Sequence, residues 1–320
     1  MRPHKRTCIC KTLLLTLSLL SGDAFGFDCV PWKYPPQSSE DLPSEQSNAW
    51  GGIEKAPSSL LWRITNSNGG ISFLFGTIHL SDPRVIEFSQ YVEPYLNRVQ
   101  NFAMEVLITP EIPALLADKM FYSDGEKLAD HLDPGVLPQT LELLSQHGLD
   151  QRSANRLKPW AAYMTLSVPP SEYSVPLDLH LLSHAKGRGM KLFGIEDIGE
   201  QLAIFEELEI SEQISLLTEA ICNYQENQAQ VEVMLSAYLQ ENLVDLAKIG
   251  EQYLTPVNEH LLQRLIIQRN ALMAQRMAIW LEGGGFFIAV GALHLTGETG
   301  LVNTLRKMGF LTEPVESDSP

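Results

Sequence analysis

Two apolar runs in this chain end in the same way. ISFLF, Ile71 to Phe75, leads into GTIHL, Gly76 to Leu80, and FFIAV, Phe286 to Val290, leads into GALHL, Gly291 to Leu295. Short runs of Phe, Ile and Val bounded by glycine read as strands buried on both faces. Such strands run parallel in one sheet with helical crossovers, and their carboxyl ends open on a common edge where ligands bind. Glycine at a strand end permits a sharp turn or a close backbone approach. The repeated unit therefore predicts an α/β fold, and it sets His79 and His294 just past two strand ends, although they are far apart in sequence.

The segments between fit that frame. LLWRIT, NSNGG and ISFLF predict a hairpin from Leu60 onward. Asp82 and Pro83 are a cap and first turn for a helix running through about Val99. NFAMEVLI, Asn101 to Ile108, and MKLFGIE, Met190 to Glu196, read as further buried strands. Apolar stripes at helical spacing fill residues 110–253. A long helix is expected from about Asn258 to Leu281, and FLTEPV as a closing strand. The expected fold is a central mixed, largely parallel sheet covered by helices, with a large helical insertion in the middle of the chain.

The charged residues near these strands carry the chemistry. A lone histidine after a strand is ordinarily a capping or packing residue, but the second copy shifts the balance toward a shared site. Two imidazoles with a carboxylate suit a divalent transition metal of the Mn, Co or Zn type. Glu105 interrupts an apolar strand, where an unpaired carboxylate is costly; its alternative is an outward position on an edge strand. Glu196, followed by Asp197, reads rather as a helix cap. Arg269 and Arg276 read as solvated helix charges, with the alternative that Arg269 reaches the sheet edge to hold a substrate carboxylate or an oxyanion. His180 and His184 have the spacing of two ligands on one helix face but lack a neighbouring glutamate. No nucleophile elbow, phosphate loop, dinucleotide fingerprint or HExxH occurs.

The start of the chain reads as an export signal over residues 1–26: basic residues, the apolar run TLLLTLSLL, then small residues. Residues 27–59 are rich in Pro, Ser and Glu and read as a flexible leader, and 316–320 as a tail. The net charge is −16. Removing the signal takes away Arg2, Lys5, Arg6 and Lys11 against Asp23, so the mature chain is more acidic still. It should repel nucleic acid and anionic lipid. No later stretch is long enough to span a bilayer. Cys29 and Cys222 remain in the exported form, where one disulfide and two separate thiols are both open.

LLWRITNSNGGISFLFGTIHLSDPRV, AMEVL, KLFGIEDIGEQL and QRNALMAQRMAIWLEGGGFFIAVGALHLTGETGLVNTLRKMGF together resemble the TraB/GumN family, which includes TIKI-type membrane metalloproteases. The likeness covers roughly Leu60 to Val315. It implies a fold related to the erythromycin-esterase and ChaN-like proteins. It also implies a pocket of Gly76, His79, Glu105, Arg269, Gly291 and His294: His79 and His294 as metal ligands, Glu105 as third ligand or general base, Arg269 as a catalytic group, and the two glycines lining the cofactor site. An exported hydrolase of peptide or small-molecule substrates is the implied activity. Haem binding and metal-free hydrolysis are the alternatives.

Overall fold

The computed structural model describes residues 59–170, 175–252 and 260–316. The expected signal, nearly all of the leader and Cys29 lie outside them, and with Cys29 its pairing with Cys222. Ser59 is buried and its hydroxyl bonds the Leu61 backbone, so it belongs with the first strand rather than with the leader.

Among the described residues six strands form one mixed sheet: β1 Leu61–Thr65, β2 Ile71–Thr77, β3 Asn101–Val106, β4 Lys191–Glu196, β5 Phe286–Gly291 and β6 Leu311–Pro314, in the order β4-β3-β5-β2-β1-β6. The pairs β2–β5, β5–β3 and β3–β4 are parallel, whereas β1 runs antiparallel to both β2 and β6. The β1–β2 hairpin turns where Asn66 Oδ1 accepts from the Asn68 and Gly70 amides and Gly69 takes φ 82°. That left-handed backbone suits glycine.

The sheet is buried between helices. Leu74, Phe75, Phe102, Phe287 and Ile288 are at most 1% exposed, consistent with their reading as strands covered on both faces. The helical middle splits in two. Leu177–Gly187, Tyr224–Leu239 and Leu243–Gln252 send apolar residues into the sheet core. Pro159–Leu166, Ile198–Glu206 and Ile210–Cys222 build a second core in which Trp160 stacks on Phe205 at 6.3 Å. No helix among the described residues is long and apolar enough to cross a membrane.

Two expected helices differ. The first is not continuous to Val99. It breaks into Pro83–Phe88, a tight turn Ser89–Val92 and Glu93–Leu96. Pro94 explains the break, because it lacks an amide hydrogen and clashes with the carbonyl four residues back. Asp82 does cap the first piece, accepting from the Arg84 amide. The long helix ending at Leu281 carries a π-helical segment, Gln263–Gln268, directly before Arg269. Such segments are rare and frequent at functional sites.

Candidate active site

The parallel strands bring the two Gly-x-x-His units side by side. On the neighbouring strands β2 and β5, Gly76 pairs with Val290 and Thr77 with Gly291. Each chain then turns, and His79 and His294 follow from adjacent strand ends. Gly76 is required by contact. A Cβ on Gly76 would stand 2.7 Å from Leu295 Cδ1 and 3.0 Å from Ala292 Cα, both in the second unit. A Cβ on Gly291 would meet Glu105 Oε1 and His294 Cδ2. Gly76 thus packs tightly against the second unit, whereas a Cβ on Gly291 would make only ordinary contact, at 3.4 Å and 3.5 Å. The Gly76 carbonyl also accepts from the buried Tyr238 hydroxyl at 2.9 Å.

Glu105 comes from β3, next to β5, and is not on an outward edge. The alternation of β3 sends Phe102, Met104 and Val106 to one face and Glu105 to the other. Its Oε1 accepts from the Gly291 amide at 2.7 Å and lies 3.6 Å from His294 Nε2. Its Oε2 accepts from Arg269 Nη2 at 2.5 Å and from Gln201 Nε2 at 3.2 Å. Glu196 completes this cluster. It is the last residue of β4, its side chain is 2% exposed, and it accepts from Arg269 Nε and Nη2 and from Gln201. The helix cap expected of Glu196 is Asp197 instead, whose side chain accepts from the Gly199 amide.

Arg269 is therefore not a solvated charge. Its side chain is 13% exposed, Nε and Nη2 serve the two glutamates, and Nη1 donates to the Leu265 carbonyl inside the π-helical segment. These bonds commit the guanidinium to protein groups. Arg276 remains at the surface, paired with Glu200. Burial works to raise the Glu105 carboxyl, but the surrounding charges of His294, Arg269 and His79 and the Gly291 amide outweigh it and hold the pKa at about 2. With His294 neutral, Arg269 is the cation that matters most.

The two histidines differ in environment. His79 has a side chain 64% exposed, and its Nδ1 stands 2.7 Å from Asp178 Oδ2. The hydrogen bond and charge of Asp178 push His79 up to about 9. His294 is 4% exposed in its side chain, with Nδ1 2.7 Å from Asn270 Oδ1. Burial pushes it down to about 4.

The His294 shift has a measurable sign. An unfolded histidine titrates near 6.5 and the folded one at about 4, so as pH falls through this window the unfolded chain takes up the proton first and stability is lost. Two to three pKa units correspond to about 3 kcal/mol. Urea unfolding of metal-free protein at about pH 7 and about pH 4 is expected to show this loss in wild type beyond that in His294→Gln. Equal losses in both would contradict it.

The other sequence candidates lie elsewhere. His184 Nε2 pairs with Asn97 Oδ1 at 3.3 Å, and no three His, Cys, Asp or Glu side chains among the described residues are grouped closely enough to hold a metal ion. A cavity of about 530 Å³ lined by Tyr122, Lys127, Arg152 and Arg156 shares no residue with the strand-edge cluster. The strand-edge cluster offers donors of the type a metal takes, but they are not drawn together around one point. Each imidazole has its Nδ1 engaged by an oxygen, and neither Nε2 has a hydrogen-bond partner among the described residues. Glu105 stands beside His294 as a third oxygen donor, already shared with Arg269 and Gly291.

Asp178, Asn270 and Gln201 had no place among the expected site residues. Two of them carried a signal. Asp178 shares the buried stripe Leu177, Leu181, Leu182, Ala185, and Asn270 shares Met273, Ala274, Met277, Leu281. A polar residue on a stripe with core spacing must find a buried partner.

Three metalloproteases are similar to the chain along most of its length. Metalloprotease TIKI1 of Danio rerio is 23% identical over 367 aligned positions, covering 96% of this chain and 73% of that protein. Metalloprotease TIKI homolog of Nematostella vectensis is 25% identical, covering 89% and 71%. Metalloprotease TIKI2 of Xenopus tropicalis is 24% identical, covering 87% and 61%. No solved structure matches. The profile of the TraB/PrgY/gumN family matches residues 60–314, and the chain belongs to that family.

Proposed function

We propose that this chain is an exported, metal-dependent hydrolase that cleaves peptide bonds. The observation that carries the reading is the register of β2 and β5, which delivers both Gly-x-x-His units to one edge beside an ionised Glu105. The metalloprotease relatives support the substrate class. His79 and His294 would bind the metal through Nε2. A divalent ion of the Mn, Co or Zn type supplies, when bound, Lewis-acid polarisation of a carbonyl and a water of lowered pKa. Glu105, held at about 2, is a poor proton acceptor at neutral pH, which favours a ligand role over a general-base role. Arg269 keeps that carboxylate ionised. His79 has to give up a proton before it can act as a ligand, so loading is easier as pH rises toward 9. The signal over residues 1–26 and a Cys29–Cys222 disulfide belong to the same proposal.

A second reading rests on the His79–Asp178 pair. A carboxylate 2.7 Å from Nδ1 of an exposed imidazole also suits metal-free acid–base hydrolysis. Chelation separates the two. Dialysis against a chelator is expected to abolish cleavage of quenched fluorescent peptides, and added Mn, Co or Zn to restore it. Full activity in the metal-free protein would overturn the first reading.

A further inference from the structure

Both motif histidines are tethered by residues outside the motif. Asp178 Oδ2 meets His79 Nδ1 and Asn270 Oδ1 meets His294 Nδ1, each at 2.7 Å. Each tether is itself oriented. Asp178 Oδ1 accepts from the Thr77 hydroxyl at 2.6 Å, and Asn270 Nδ2 donates to the Thr299 carbonyl at 3.0 Å. A carbonyl only accepts, so the Asn270 amide nitrogen must face Thr299 and its oxygen must face His294. An ionised carboxylate also only accepts. In both rings Nδ1 therefore carries a hydrogen; neutral His294 presents its lone pair at Nε2, and His79 does so once it has given up its second proton. The tethers also differ as burial demands. The exposed His79 has a carboxylate, whereas His294 has a neutral amide. A carboxylate at position 270 would add another buried negative charge beside Glu105 and Glu196.

We propose that Asp178 and Asn270 are positioning residues that fix both imidazoles, in their neutral forms, as Nδ1–H tautomers and aim the two Nε2 lone pairs at one strand edge. The proposal deepens the ligand reading of His79 and His294, and rests on it only for the affinity changes below. Long-range proton–nitrogen NMR of selectively labelled histidines, on metal-free protein at neutral pH, reads the His294 tautomer directly. Wild type is expected to be Nδ1–H. Asn270→Leu should lose that preference, and Asn270→Asp, which keeps an acceptor, should retain it. A wild-type Nε2–H form, or an Nδ1–H form surviving in Asn270→Leu, overturns the proposal. If the leucine variant does not fold, Asn270→Ser replaces it, because its hydroxyl falls short of the ring. At His79 the probe is cobalt(II) alone, followed by calorimetry. Both Asp178→Leu and Asp178→Asn remove the carboxylate that holds a proton on His79, so the comparison is between them. The leucine variant is expected to bind about 10–100-fold more weakly than the asparagine variant, whose oxygen can accept from Nδ1 while its amide donates to the Thr77 hydroxyl. Equal affinity in the two variants overturns the tether at His79. Absence of cobalt binding in wild type, with the NMR result intact, removes the ligand reading and leaves the tethers standing.

Discussion

Arg269→Leu is expected to destabilise the protein by about 3–5 kcal/mol, the usual cost of stripping one partner from a buried ion pair. The arginine is the cation between two carboxylates whose side chains are 13% and 2% exposed. Without it, Glu105 and Glu196 keep, among the described residues, the Gln201 amide and the Gly291 N–H as donors to their side-chain carboxylates. Two buried carboxylates this close cannot both stay ionised, so one takes up a proton and its pKa rises. The effect comes from the charge left behind, and it therefore has a rescue. Glu196→Gln in the Arg269→Leu background should recover much of the loss, whereas Glu196→Gln alone should destabilise. Urea denaturation of the four proteins measures the coupling. Additive effects would mean that Arg269 contributes packing rather than compensation. Arg269→Lys should fall between, because an ammonium cannot bridge both carboxylates as the planar fork does.

Replacing both His79 and His294 by alanine is expected to lower peptide hydrolysis by at least about 10²–10⁴-fold, the span of a positioned acid–base group, and to background if both hold the metal. The fold should survive. His79→Ala leaves the buried Asp178 carboxylate with the Thr77 hydroxyl in place of its imidazole, so it too should lower the unfolding midpoint, by an amount that the exposure of the His79 ring keeps small. His294→Ala leaves the buried Asn270 oxygen without its partner, at about 1–3 kcal/mol. The single variants thus separate stability from activity, since both should be inactive although neither loses more than a part of its stability. Undiminished cleavage by the folded double variant would remove both histidines from the chemistry.

The strands were legible because their apolar runs were continuous and ended in glycine, and the repeated Gly-x-x-His pointed to one edge. Their register was not legible. That Thr77 faces Gly291 depends on β5 inserting between β2 and β3, which no local pattern encodes. Glu105 stood out as an acid inside an apolar run. Glu196 did not, because a strand-terminal acid followed by Asp197 looks like a cap. Arg269 was hidden for a similar reason. An arginine beside a helix stripe is ordinarily solvated, and here only the partners that β3 and β4 supply draw it inward. Asp178 and Asn270 shared stripes with apolar residues, but the histidines that satisfy them are 99 and 24 positions away in sequence.

The most direct test is elemental analysis of purified protein by mass spectrometry, wild type beside the double His79→Ala, His294→Ala variant, each offered Mn, Co and Zn and then desalted. About one metal per wild-type chain and none in the variant is the result expected of the proposed site, in which both imidazoles would serve a single ion. Equal metal in the two proteins, or none in a wild type that still cleaves peptides, would contradict a metal centre at this strand edge.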